Sequence, residues 1–131
     1  MWEGIRYLRP DEFSSPDAPG SGSKMNLDFV KLLDELRSKC GFPLFISSGY
    51  RTPEHNREVG GVDSSSHENG LAVDITARDS HTRFVIVENA IALGFRRVGI
   101  GFSFIHLDMD LSKPDGVTWL YPPAVSRTRT V

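Results

Sequence analysis

Residues 64–76, S-S-S-H-E-N-G-L-A-V-D-I-T, contain a short apolar run with a carboxylate in its middle. The apolar and β-branched residues at 72–76 predict a strand, so Asp74 is expected in a partly buried element. A buried carboxylate is costly unless a positive group holds it, and the nearest cation on the C-terminal side is Arg78, beyond the strand. A cation from outside the chain, held by Asp74 together with His67, is one explanation.

The composition is that of an ordinary globular protein. The 131 residues suit one domain, 1–131, and 39% of them are hydrophobic while 24% are charged. The net charge is −2 and the basic residues are scattered, which argues against a nucleic-acid partner. The single cysteine, Cys40, excludes an internal disulfide and a cysteine zinc cluster. No run suits membrane insertion or a signal peptide, so we expect synthesis in the cytoplasm; we also expect a monomer.

The spacing of apolar residues predicts helices over residues 26–40, 52–59 and 80–93. Each is preceded or opened by an asparagine, threonine or serine that can cap it, and each is followed by glycine. Residues 14–24 are rich in proline, glycine and serine, which predicts an irregular loop within the domain and not a domain boundary.

Four apolar runs predict strands: residues 44–46, 72–76, 97–102 and 104–110. The last two are too close together for a crossover helix, so they should pair antiparallel. The expected class is therefore α+β, with a central antiparallel sheet and flanking helices.

Polar residues on two of these strands suggest a metal site. A catalytic zinc ion takes three protein ligands, commonly histidine and carboxylate, and leaves one position for water. His67 and Asp74 are two candidates, and a third lies in F-I-H-L-D at 104–108, where His106 and Asp108 project to the same face. Each residue also has an ordinary explanation, since Asp74 could bind backbone N–H groups and His106 could be a satisfied core histidine.

Five motifs follow one another along the chain: S-G-Y-R at 48–51, Asn56, G-G at 60–61, S-H-x-x-G-x-A-x-D-I at 66–75 and F-I-H-x-D at 104–108. Together they closely resemble the M15 family of zinc D-Ala-D-Ala peptidases, in particular its compact branch of small bacterial and phage murein peptidases. The resemblance extends over most of the chain and keeps the family order. It implies the zinc-binding α+β fold that this family shares with hedgehog signalling domains.

The resemblance also implies functions for individual residues. His67, Asp74 and His106 would bind one Zn²⁺, which lowers the pKa of its water towards ~7 and polarises a scissile carbonyl. Arg51 would face the substrate, where its planar fork of donors suits a carboxylate or a developing oxyanion.

Three neighbours of these residues are further candidates. Tyr50 could form a wall of the site or donate a hydrogen bond to substrate. Ser66, also a candidate substrate-binding residue, is expected to order its loop rather than to react. Gly70 is expected to allow a close approach of the backbone at the metal.

One departure from the family pattern concerns the general base. Related zinc peptidases place a glutamate three residues before the last histidine ligand, or a histidine two before it, and here Ser103 and Phe104 occupy these positions. Asp108 is the nearest carboxylate on the same strand face. It could be the general base, or it could be a residue outside the metal-binding set that fixes the orientation of the His106 ring.

The expected function is hydrolysis of a peptide bond in bacterial peptidoglycan, by a D-Ala-D-Ala carboxypeptidase or a murein endopeptidase. The partners would be peptidoglycan stem peptides. The protein is expected to act on the cell wall, as a phage or prophage lysin. A protein of another class, a non-catalytic zinc-stabilised module that binds the wall or a partner, is the alternative.

Overall fold

The predicted strands assemble into one sheet. The computed structural model describes residues 2–122, and its five strands lie in the order β1-β2-β4-β3-β5. Their bounds are β1 (Ile46–Ser48), β2 (Ala72–Thr76), β3 (Arg97–Ile100), β4 (Phe104–Asp108) and β5 (Val117–Leu120).

Three α-helices flank this sheet in the described part of the chain: α1 (Leu27–Cys40), α2 (Pro53–Glu58) and α3 (Ser80–Leu93). The Asn26 side chain accepts a hydrogen bond from a first-turn N–H of α1, as predicted, whereas α3 is capped by Asp79 and not by Ser80. Over residues 2–122, every helix falls short of the length and apolar character that crossing a membrane requires.

The strand pairing confirms the α+β class and adds one element. Strands β1, β2, β4 and β3 pair antiparallel, as expected, and the structure gives their order. Strand β5 was not predicted; it joins the edge parallel to β3, which makes the sheet mixed.

The two faces of the sheet differ in chemistry because successive strand residues point to opposite sides. One face is apolar and fully buried, with Val73 and Ile75 of β2 beside Ile105 and Leu107 of β4. It packs with the apolar sides of α1 and α3 in a single core. The other face carries the polar residues of the same strands, so the alternation predicted for β2 and β4 sends Asp74 and its partners away from the core.

The loop at 14–24 is held in place by side chains. It contains a 3-10 turn, Ser21–Lys24. The hydroxyls of Ser15 and Thr52 both donate to the Asp17 carboxylate, and the hydroxyl of Ser21 accepts from the backbone N–H of Ser15. These bonds fix the loop against the start of α2.

Gly70 occupies a close backbone approach, but not at the metal site as expected. Its φ is 69°, and a Cβ built there would lie 2.4 Å from the Lys24 carbonyl oxygen. The Gly70 carbonyl accepts from the N–H of Asn26 at 2.9 Å. Gly70 therefore joins the segment that carries His67 to the start of α1.

We expect Gly70→Ala to lower the free energy of unfolding by about 2–4 kcal/mol, because alanine adds left-handed backbone strain to a clash with backbone atoms. Gly41→Ala is the matched control, since Gly41 has a φ of 75° and nothing within 4 Å of its Cβ position. Chemical denaturation measures both variants. If both variants lost the same free energy of unfolding, the close contact of Gly70 with Lys24 would contribute nothing to stability.

Candidate metal centre

The floor of the site is one row of residues across the sheet. Ser48 of β1 pairs with Asp74, Asp74 with His106, His106 with Gly99 of β3, and Gly99 with Trp119 of β5. Residues paired in register project to the same face of a sheet. The row therefore brings two of the three predicted ligands together, on the side opposite the core.

The third ligand, His67, enters from a 3-10 turn, Ser66–Asn69, that precedes β2. The Ser65 hydroxyl accepts from the His67 N–H, and the His67 carbonyl accepts from the N–H of Arg51. The His67 ring is 4% exposed, so backbone and packing together fix its direction.

The three side chains fit a metal ion. His106 Nδ1 lies 2.9 Å and His67 Nε2 lies 3.5 Å from the same oxygen of Asp74. One ligand atom from each residue lies within 4.8 Å of the others. Tetrahedral ligands about 2.0–2.1 Å from zinc are separated by about 3.4 Å. The donor set of two imidazoles and one carboxylate is one that zinc commonly takes in catalytic sites.

In each histidine ring, the nitrogen that does not face the candidate metal position makes a hydrogen bond that holds the ring. The Gly49 carbonyl accepts from Nδ1–H of His67 at 2.8 Å, which leaves Nε2 free to bind a metal. The Asp108 carboxylate accepts from Nε2–H of His106 at 2.7 Å, which leaves Nδ1 for the same ion. Such partners fix the tautomer and the ring plane of metal-binding histidines.

Asp108 is itself enclosed. Its side chain is 1% exposed, and the oxygen that does not bind His106 accepts from Nε of Arg97 at 2.7 Å and from the N–H of Asp110 at 3.1 Å. The general-base role of Asp108 stays a prediction. These contacts favour the alternative, in which Asp108 fixes the ring of His106.

Arg51 provides the positive partner that the local sequence around Asp74 lacks. Its Nη2 lies 3.4 Å from the second oxygen of Asp74, while Nε donates to Ser48 and Nη1 to Asn56. A planar guanidinium held by three side chains is preorganised, so it faces the cavity beside the metal ligands in one orientation.

The charges of the site are strongly coupled. Burial would raise the pKa of the Asp74 carboxyl, but hydrogen bonds with His106 and His67 outweigh it and hold that pKa well below its ordinary 3.8. Burial would lower the pKa of His106, but the carboxylates of Asp108 and Asp74 raise it above 6.5. Without metal, the two carboxylates therefore favour the protonated form of the His106 ring.

A cavity of about 450 Å³ opens over the three ligands. Trp119 and Tyr121 line it, together with Arg97 and Lys113. The sequence interpretation missed these four residues. The run V-T-W-L-Y after the turn residues P-D-G at 114–116 is a strand signal that could have revealed β5, but no local pattern places it beside β3.

The two predicted substrate-binding neighbours differ in position. Tyr50 is 9% exposed, belongs to the hydrophobic core and is not among the residues lining the cavity, whereas Trp119 and Tyr121 are. Ser66 does line the cavity, and its hydroxyl donates to Asp110 at 2.6 Å. That bond ties the His67 turn to the end of β4, in keeping with the expected ordering of its loop.

We expect the difference in melting temperature between zinc-loaded and metal-free protein to widen from about pH 6 to pH 8. The raised pKa of His106 stabilises the metal-free fold below pH 6.5, and this contribution is lost as the pH rises through the raised value. The metal needs the deprotonated ring, so its binding strengthens over the same range. Asp74 does not change this trend, because its lowered pKa matters only at more acidic pH.

Thermal unfolding with and without EDTA measures this difference. His81→Gln is the control, because His81 is exposed and outside the site, and it should show the same widening. A constant or narrowing difference would contradict the raised pKa of His106 in the metal-free protein.

The comparison with known proteins agrees with this geometry. No curated protein matches the chain. A protein-family model described as Peptidase M15 matches residues 8–108, which include all three ligands, Arg51 and Asp108. The match covers most of the chain, and M15 peptidases are metallopeptidases. The chain therefore belongs to the M15 peptidase family.

Proposed function

We propose that the protein is a zinc-dependent peptidase that hydrolyses a peptide bond in bacterial peptidoglycan. Its substrates are stem peptides, cut either at terminal D-Ala or within the stem or cross-link. Its place of action is the cell wall, as a phage or prophage lysin. Membership of the M15 family supports the peptidase class, and the finer statements are ours.

The observation that carries this proposal is the grouping of a His-Asp-His donor set with a fixed guanidinium in an open cavity. Asp74 and His106 lie on the floor of the site, His67 enters from the turn before β2, and Arg51 stands beside Asp74 at 3.4 Å. A structural zinc site is normally closed by four protein ligands, whereas three ligands in a cavity leave room for water and substrate.

Each residue then has a defined role. When bound, the zinc ion would supply an activated water and polarise the scissile carbonyl. His67, Asp74 and His106 hold the ion, and their outer hydrogen bonds keep them from turning. Arg51 offers donors to a substrate carboxylate or to the oxygen that becomes negative during attack.

The enclosure of Asp108 supports a positioning role in this reaction. Both its oxygens are engaged, one by His106 and the other by Arg97 and a backbone N–H. Asp74 and Asp108 are the only carboxylates among the residues that line the cavity in the described part of the chain.

One observation favours a second candidate function. Ser103 and Phe104 stand where related enzymes have a base, and Asp108 is enclosed. A zinc-stabilised module that binds the wall or a partner without cutting it would have the same metal ligands. Turnover separates the two functions.

The test is hydrolysis of purified peptidoglycan and of defined muropeptides, followed by mass spectrometry of the released fragments. We expect zinc-dependent cleavage that EDTA abolishes and added zinc restores. His67→Ala should lose zinc and activity together, because two ligands form an incomplete site. His55→Ala is the control, since His55 lies on α2 outside the donor set. Binding of zinc and peptidoglycan without cleavage would favour the second candidate.

Asp108→Asn separates positioning from base catalysis. We expect zinc affinity to fall roughly 10–100-fold and activity to return when zinc is in excess, because the amide holds the ring less well. A general base would instead show a kcat lowered roughly 10²–10⁴-fold at full zinc occupancy. Asp115→Asn, in an exposed pair with Arg96, is the control. Zinc titration and steady-state kinetics on the same preparations decide between the roles.

A further inference from the structure

Strand β5 and the residue that follows it add two aromatic side chains to the site from outside the region that the family model matches. The match ends at residue 108, and β5 spans Val117–Leu120. Its parallel pairing with β3 places Trp119 beside Gly99, in the row that contains His106. Tyr121 follows two residues later on the same face and also lines the cavity.

The two rings lie against the metal ligand itself. The centroid of the Trp119 ring is 5.5 Å from that of His106, and the Tyr121 ring is 6.0 Å from it. Gly99 makes this approach possible, because a Cβ there would lie 2.6 Å from the Tyr121 ring and 2.8 Å from the Trp119 ring. The Arg97 guanidinium stacks on Trp119 at 4.7 Å.

These rings are not part of the hydrophobic core. Trp119 and Tyr121 are only partly buried, and neither belongs to the core cluster. The residue between them, Leu120, points to the other side of β5 and is 77% exposed. Strand β5 therefore contributes little to the core, while the rings of Trp119 and of Tyr121, which follows the strand, face a cavity of about 450 Å³ over the candidate metal ligands.

We propose that Trp119 and Tyr121 are substrate-positioning residues, which form an apolar wall that holds a bound peptide over the metal. This inference rests on the proposed function. Flat aromatic faces pack well on C–H groups, so the wall suits the methyl groups and backbone of small residues such as alanine. Arg51, at the side of Asp74, binds the polar part of the peptide, and the wall limits where its apolar part can lie.

Kinetics with a soluble disaccharide pentapeptide test the wall. Trp119→Leu and Tyr121→Leu should each raise KM roughly tenfold while kcat changes less, because the rings contribute to binding before and during reaction. Leu120→Ala, on the opposite face of the same strand, should keep both constants. Zinc content is measured for each variant, so that a loss of metal is separated from a loss of substrate binding.

Direct binding gives a second readout that does not need turnover. The chain has two tryptophans, and Trp2→Phe leaves Trp119 as the only one. Addition of the same muropeptide to this protein after EDTA treatment should change the Trp119 fluorescence and saturate. A second substitution in the Trp2→Phe protein, Tyr121→Leu, should weaken the apparent affinity for the muropeptide, whereas Leu120→Ala in the same protein should leave that affinity unchanged.

The outcomes separate this inference from the proposed function. An active enzyme whose KM is unchanged in Tyr121→Leu, with no fluorescence response of Trp119, would overturn the wall and leave the peptidase intact. A zinc-loaded protein that cleaves no peptidoglycan would overturn the proposed function, and the fluorescence titration with muropeptide would then decide the wall by itself. If Trp119→Leu does not fold, Tyr121→Leu and the fluorescence titration still decide.

Discussion

The Asp74 carboxylate lies on an interior strand of a sheet whose opposite face is the hydrophobic core, and it needs positive partners there. Arg51 provides positive charge at 3.4 Å, and ring nitrogens of His67 and His106 lie 3.5 Å and 2.9 Å from the carboxylate. Each partner comes from a different segment of the chain. Because the carboxylate cannot be left unpaired, its requirement for positive charge gathers the loop before α2, the turn before β2 and strand β4 around one point.

The same alternation that points Asp74 away from the core gives the site its rigidity. Ile75 and Ile105 are fully buried on one face, while Asp74 and His106 occupy the other. A slip of one residue between β2 and β4 would place a carboxylate in the core, so the register is strongly specified. Sites built on such strands keep their ligands in a fixed geometry, which both metal binding and substrate positioning require.

A chain of contacts links the metal ligands to the edge of the sheet. His106 is held by Asp108, Asp108 by Arg97, and Arg97 lies over the ring of Trp119. Arg97 also donates to the Pro114 carbonyl, in the loop that leads to β5. The last strand is therefore connected to the metal ligands through these contacts as well as through its rings. This connection joins β5 to the candidate metal site although the strand lies beyond the residues that the family model matches.

The sequence by itself determined the α+β class, the three helices and the alternation of β2 and β4, because these depend on local periodicity and capping. It also indicated the three candidate metal ligands through the spacing of histidine and aspartate within a family-like series of motifs. Only the tertiary structure decided that Arg51 lies beside Asp74, that Tyr50 belongs to the core and that Trp119 lines the cavity over the candidate ligands. Those outcomes depend on contacts between residues far apart in the chain, and local pattern carries no information about which distant side chains pack together.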